Sequence, residues 1–203
     1  IRFPEGPFFY EDNPFHWRAC LAAERIAFVD RGLCFHRVNR AGQTMAAQGG
    51  ELEAFFSHYE AIVGALPHDR YRPGALRWLL ENMAWHVERL RPEAYWSYGC
   101  RAAETLALIP EADWQALRYC PVAQRSWAMA RALARGDLAA VVADWRGQET
   151  LRSLAAVNQR LDQVEEAAQH RAESLQALRH WADAEREVAA FESLQALQAA
   201  RQK

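Results

Sequence analysis

From Gly50 onward the apolar positions of the chain recur with a helical period. Leu52, Phe55, Phe56, Tyr59, Ile62 and Val63 fall on one face of a helix that ends near Leu66-Pro67, which is the i, i+3, i+4 spacing of an amphipathic helix. After a connection over 67–74, Leu76, Leu79, Leu80, Met83 and Val87 form the apolar side of a second helix over about 74–90. Pro92, Pro110 and Pro121 then punctuate helices over roughly 93–108, 111–118 and 121–135, and Gly136-Asp137 breaks the last of these. Pro cannot continue a helix from within but suits its first turn. A short helix over 137–146 follows.

From Gln148 to Lys203 there is neither Gly nor Pro, which predicts one long helix or a helical hairpin. A heptad frame fits part of it. Leu154, Leu161, Ala168, Leu175 and Ala182 take one core position, and Val157, Val164 and Leu178 take the other, with Arg171 and Glu185 as misfits. Beyond Glu185 the apolar set moves to Val188, Phe191, Leu194 and Leu197. A straight helix of this length spans on the order of 80 Å. Its apolar stripe needs a partner: itself folded back, another chain, or a part of the protein outside this sequence.

The first 47 residues read differently. Residues 1–12 are rich in Pro, Gly and aromatics and predict a loop. Asn13-Pro14 opens a helix to about Glu24, with Asn13 as the cap. Arg25 to Asp30 predicts a short strand, Arg31-Gly32 a turn, Leu33 to Asn39 a second strand, and Arg40 to Thr44 a loop. The run from Ile1 to Gly6 reads like the middle of a longer protein, so the natural N-terminus is expected upstream.

Composition narrows the partners. The 24 basic and 26 acidic residues leave a net charge of -2, which gives no reason to expect nucleic acid or an anionic membrane as partner. No apolar run reaches the ~18 residues of a membrane span. The four cysteines, Cys20, Cys34, Cys100 and Cys120, show no C-x-x-C spacing. In a chain with 51% hydrophobic residues they predict reduced, mostly buried thiols in a cytosolic protein. Eight tryptophans serve a core or a sugar platform equally well. Trp78, Trp85, His86, Trp96, Trp114 and Trp127 recur at spacings that suit packing.

Two groups of residues carry chemistry. Glu11 and Asp12 precede the first helix. A carboxylate there is favoured in its ionised form by the helix N-terminus and can take a proton from a hydroxyl at hydrogen-bond distance. Acidic residues also stand before helices simply to cap them. His36, Arg37, Asn39, Arg40, Gln43 and Thr44 cluster in and after the second strand. Arg makes charge-assisted bonds to phosphate and His can bind metal, although a polar hairpin end would look the same.

In order, Phe3-Pro4-Glu5-Gly6, Tyr10-Glu11-Asp12-Asn13-Pro14-Phe15, Ile26-Ala27-Phe28-Val29, Leu33-Cys34-Phe35-His36-Arg37 and Gly42-Gln43-Thr44-Met45 resemble the C-terminal part of family-two glycosyltransferases. These are inverting enzymes of the GT-A fold that use nucleotide-diphosphate sugars. The resemblance covers about residues 1–66, and more loosely extends to about 90. It implies that Asp12 is the general base on the acceptor hydroxyl, with Glu11 beside it. It also implies that His36 and Arg37, where the family often has Tyr-Tyr-Arg, lie near the donor diphosphate, with the loop Arg40 to Thr44, including Gln43, over the same site. The family's nucleotide-binding half and its Asp-x-Asp metal motif have no counterpart here.

The expectation is therefore a mainly α protein. Residues 1–47 are a helix-plus-β-hairpin remnant of a GT-A catalytic domain, 48–147 a helical bundle, and 148–203 a long helix or helical hairpin. The intact parent would use a nucleotide-sugar donor, a glycan or glycolipid acceptor and a divalent cation, Mg or Mn. This chain alone is expected to bind no cation and to be inactive. It would be cytoplasmic, at most peripheral to the inner membrane face, with no nucleic-acid partner, and a homo-oligomer through 148–203. The alternative is a non-catalytic helical module for oligomerisation or scaffolding.

Overall fold

The computed structural model describes residues 2–3, 9–32, 35 and 48–201, with side chains as far as residue 194. Seven α-helices form among them: α1 (Asp12–Ala22), α2 (Ala54–Gly64), α3 (Arg72–Val87), α4 (Tyr95–Ala107), α5 (Glu111–Ala116), α6 (Pro121–Ala134) and α7 (Leu138–Arg201). Short 3₁₀ turns at Gly50–Glu53, Asp69–Tyr71 and Pro92–Ala94 lead into α2, α3 and α4. The protein is thus mainly α, and each helix that Pro and Gly punctuation marks out over 50–135 is present.

Three expectations are corrected. No strand forms among the described residues. Residues 25–30 carry Ile26, Phe28 and Val29 exposed, Phe28 at 98%. Strand propensity becomes a strand only against a partner that pairs and packs, and no described segment pairs with it. The second expected strand, apart from Phe35, lies outside the described residues. The short helix over 137–146 does not end there: α7 runs unbroken through Gly147. An interior Gly costs a helix only about 1 kcal/mol. Asn13 is not the cap of α1, because the helix starts two residues earlier, at Asp12, with Glu11 at the cap position and no side-chain cap bond.

The chain divides into two units, 1–149 and 150–203. In the first, α6 packs on both α3 and α4, and α2 packs on α1 and α3. Leu76, Leu79, Leu80 and Met83 of α3 are completely buried. Each such side chain contributes about 1.5–3 kcal/mol relative to exposure. The small residues Ala123, Ser126 and Ala130 of α6 are buried too, and the Ser126 hydroxyl donates to the Leu80 carbonyl at 2.7 Å. The first turns of α7 close the bundle with Val141, Val142 and Trp145, and Trp145 meets Tyr95 and Tyr98 edge-on. Of the tryptophans, Trp114 and Trp145 are core, Trp78, Trp85 and Trp127 half-buried, and Trp96 is 54% exposed. Trp96 lies off the buried face of α4 made by Tyr95, Tyr98, Ala102 and Leu106. Cys20 is exposed, and Cys100 and Cys120 are only partly buried. The expectation of mostly buried thiols fails for Cys20, while Cys100 and Cys120 meet it only in part.

Charged pairs tie the bundle at its rim. Arg72 of α3 meets the buried Asp113 of α5 at 2.9 Å, and Arg101 and Thr105 of α4 both donate to Glu60 of α2. In the second unit the apolar stripe of α7 is open. Leu154, Val157, Leu161, Val164, Leu175 and Leu178 are each more than half exposed.

Candidate functional site

The acidic pair is reached by a turn that the bundle holds from several sides. Tyr10 adopts a left-handed backbone at φ 59°, a conformation that non-glycine residues rarely take and that is kept only where the surroundings enforce it. Its ring packs at 4.5 Å on Phe55 of α2 and edge-on against Trp85 of α3. One residue earlier, the buried His58 of α2 donates from Nε2 to the Phe9 carbonyl. Past the turn, the Asn13 amide N–H donates to the Tyr10 carbonyl at 3.1 Å, and Trp17 lies 3.6 Å from the Cβ that a side chain at Gly74 would have.

Asp12 is the first residue of α1 and faces solvent, while Glu11 at the cap position is partly covered. The two carboxylates diverge in exposure, as adjacent residues in a turn do. Asp12 Oδ1 accepts from Asn13 Nδ2 at 3.2 Å. The same Nδ2 donates to the Tyr10 carbonyl at 3.2 Å, and Asn13 Oδ1 accepts from the Trp78 indole N–H at 3.2 Å. Burial pushes the Tyr10 hydroxyl above its ordinary range. The positive charge of Arg89 opposes this shift and the negative charge of Asp12 adds to it. The result is an exposed carboxyl group at a helix N-terminus, bonded by its neighbour Asn13 and open to a hydroxyl brought to it.

Behind this turn lies an aromatic cluster that buries titratable groups, His86 and Tyr98 among them. His86 of α3 is fully buried, meets Phe55 edge-on at 4.5 Å, and its Nδ1 is hydrogen-bonded to the Tyr98 hydroxyl at 2.9 Å. Its Nε2 has no partner among the described residues. Burial lowers its pKa to about 3, so the imidazole is neutral there. Burial, with Glu53 adding, raises the Tyr98 hydroxyl well above 10.

His36, Arg37, Arg40, Gln43 and Thr44 lie outside the described residues. The chain is described again from Gln48, whose carbonyl accepts from the Arg91 amide at 2.8 Å and whose side-chain oxygen accepts from Arg91 Nε at 3.1 Å. A polar cleft of about 520 Å³ lies there, lined by Gln48, Glu88, Arg89, Arg91 and Glu149 among others. Among the described residues no three His, Cys, Asp or Glu side chains gather as metal ligands. No described helix is long and apolar enough to cross a membrane.

Sequence reasoning singled out Glu11 and Asp12 but missed what holds them. Trp78 read as packing only, and Asn13 as a cap. His58 and the left-handed Tyr10 carry no local signal, since their partners are remote in sequence. No protein-family model, curated protein or solved structure matches the chain.

Proposed function

We propose that the chain is the acceptor-side, C-terminal part of an inverting glycosyltransferase, with Asp12 as the general base. The observation that carries this reading is the acidic pair in its ordered motif set, with Asp12 held at the N-terminus of α1 and open to solvent. In the reaction, the acceptor hydroxyl gives its proton to the Asp12 carboxylate as its oxygen bonds to the anomeric carbon. The bond from that carbon to the donor diphosphate breaks on the opposite face, and the diphosphate leaves with the electron pair, which inverts the centre. Glu11 lies beside the acceptor. His36, Arg37, Arg40, Gln43 and Thr44 belong to the donor side. The parent would act on a glycan or glycolipid acceptor at the cytoplasmic side. In the intact enzyme, Asp12→Asn lowers kcat by about 10²–10⁴-fold, the range for a lost general base, while donor KM holds. Unchanged turnover overturns the reading.

A second reading, compatible with the first, is favoured by the open stripe of α7: residues 148–203 bring together copies of this chain. Light scattering on the chain with and without 148–203 decides it, because identical monomers in both remove the idea.

A further inference from the structure

We infer that Trp78 of α3 is a positioning residue for Asp12, acting through the side-chain amide of Asn13. A primary amide has an oxygen that only accepts and a nitrogen that only donates, and an indole N–H only donates. With Trp78 Nε1 donating to Asn13 Oδ1 at 3.2 Å, the amide cannot turn over without setting two donors against each other. Its Nδ2 is thereby directed to the other side, where it donates to the Tyr10 carbonyl and to Asp12 Oδ1, each at 3.2 Å. The indole thus selects the face of the amide that Asp12 meets. With the amide reversed, Asp12 would face an oxygen, and two acceptors in contact repel.

Both ends of the relay are themselves fixed. The Trp78 ring stacks on Phe55 at 5.3 Å with planes 21° apart, and its carbonyl accepts from Asn82 Nδ2 at 2.7 Å. The left-handed Tyr10, seated on Phe55 and Trp85, aims its carbonyl at Asn13. One carboxylate oxygen of Asp12 then has a donor, and among the described residues the other has none, which leaves it for a hydroxyl. The helical bundle, 65 residues further along the chain at Trp78, therefore sets the direction of the acidic group rather than merely following it. The catalytic consequence rests on the sugar-transfer reading; the positioning itself does not.

Two substitutions test it in the full chain. Trp78→Phe keeps the ring on Phe55 and removes only the donor. Asn13→Asp keeps the acceptor for the indole and removes the donor to Asp12. In ¹³C,¹⁵N-labelled protein, Trp78→Phe should leave the thermal midpoint within a few degrees yet move the Asn13 side-chain amide and Asp12 carboxyl carbon signals. Asn13→Asp should move the Asp12 signal in the same direction with the Trp78 indole signal still present. A folded Trp78→Phe protein whose Asn13 and Asp12 signals stay in place overturns the inference. If that variant does not fold, the Asn13→Asp spectrum decides alone, and an unmoved Asp12 signal overturns it. In the intact enzyme, Trp78→Phe should lower kcat about fivefold, the worth of one hydrogen bond, at unchanged KM, and should have no further effect once Asn13 is Ala. An inert Asp12→Asn would remove the sugar-transfer reading and leave the spectra to judge the positioning. An inactive Asp12→Asn with an unchanged Trp78→Phe kcat would remove the positioning instead.

Discussion

Acid should loosen the bundle through His86, and well above the range where carboxylates titrate. The imidazole is fully buried and burial holds its pKa down at about 3, against about 6.5 in an unfolded chain. Between these values the unfolded chain binds the extra proton. The stabilising effect is therefore complete above pH 6.5 and is lost as pH falls toward 3. Going from pH 7 to pH 5, the protonated fraction in the unfolded chain rises to near one, which costs about 2 kcal/mol of folding free energy. Glu60 lies below its ordinary value: burial raises it, but hydrogen bonds from Arg101 and Thr105 outweigh that. Its loss of stability sets in below pH 4.5, under the pH 5–7 window, and comparison with a His86 variant separates this histidine from the buried His58. The assay is urea unfolding followed by near-ultraviolet circular dichroism, which reads the buried Tyr95, Tyr98, Trp114 and Trp145. His86→Gln should start less stable at pH 7, because the Tyr98 hydroxyl loses its partner, yet vary less with pH. The gap to wild type should close by about 2 kcal/mol at pH 5. Parallel stability curves for the two proteins from pH 7 to pH 5 would refute the reasoning.

Three further outcomes follow from the packing. A Cβ at Gly99 would stand 2.5 Å from Leu138 Cδ1 and 3.6 Å from Trp145, so Gly99→Ala should destabilise by about 1–3 kcal/mol through overpacking. A urea midpoint equal to wild type would show that Leu138 moves aside freely. Arg72→Met leaves the Asp113 carboxylate, with a side chain only 10% exposed, without its cation. The expected loss is about 2–4 kcal/mol, below the full 3–5 of a wholly buried pair because Arg72 is itself partly exposed; thermal melts of Arg72→Met and Asp113→Asn should both fall, and an unchanged Arg72→Met melt would contradict it. Arg171 sits in the apolar seam of α7, where a parallel partner in register would set it against its own copy. Arg171→Leu should tighten self-association at least tenfold by sedimentation, and unaltered association would remove that seam from the interface.

Much of the bundle was legible because its helices carry their own punctuation. Pro67, Pro92, Pro110, Pro121 and Gly136 bound segments whose apolar positions are the buried ones: Leu52, Phe56 and Tyr59, then Leu76, Leu79, Leu80 and Met83. Helical hydrogen bonds are local, so local sequence suffices to place them. What failed was non-local. Ile26, Phe28 and Val29 have strand propensity, but a strand exists only through a pairing that single-sequence pattern cannot supply. The site was half legible for the same reason. Glu11 and Asp12 stand out as adjacent carboxylates before a helix. The bond from Trp78 to Asn13 and the one from His58 to Phe9 join residues 65 and 49 positions apart, and no spacing rule reaches that far. Tyr10 gives no hint of its positive φ, since that angle is enforced by Phe55 and Trp85 and not by its own preference.

The same distinction governs α7. Its helicity is local and legible, while its apolar surface makes sense only with a partner. At about 100° per residue, the positions from Leu154 to Leu178 cluster on one side of the helix. Trp181, Val188, Phe191 and Leu194 turn to roughly the opposite side, and all of them are more than half exposed. A left-handed two-stranded coil follows a strict heptad and keeps one seam facing its partner. Such a coil would cover the first stripe and rotate Phe191 and Leu194 out into water. Burying both stripes takes contacts on two sides of the helix in succession, so a single partner helix does not satisfy this sequence. The misfit Glu185 falls where the stripe changes side, whereas Arg171 lies inside the first stripe between Ala168 and Leu175. On the proposal that α7 brings copies of this chain together, the loss of heptad phase beyond Glu185 corresponds to a change of partner face.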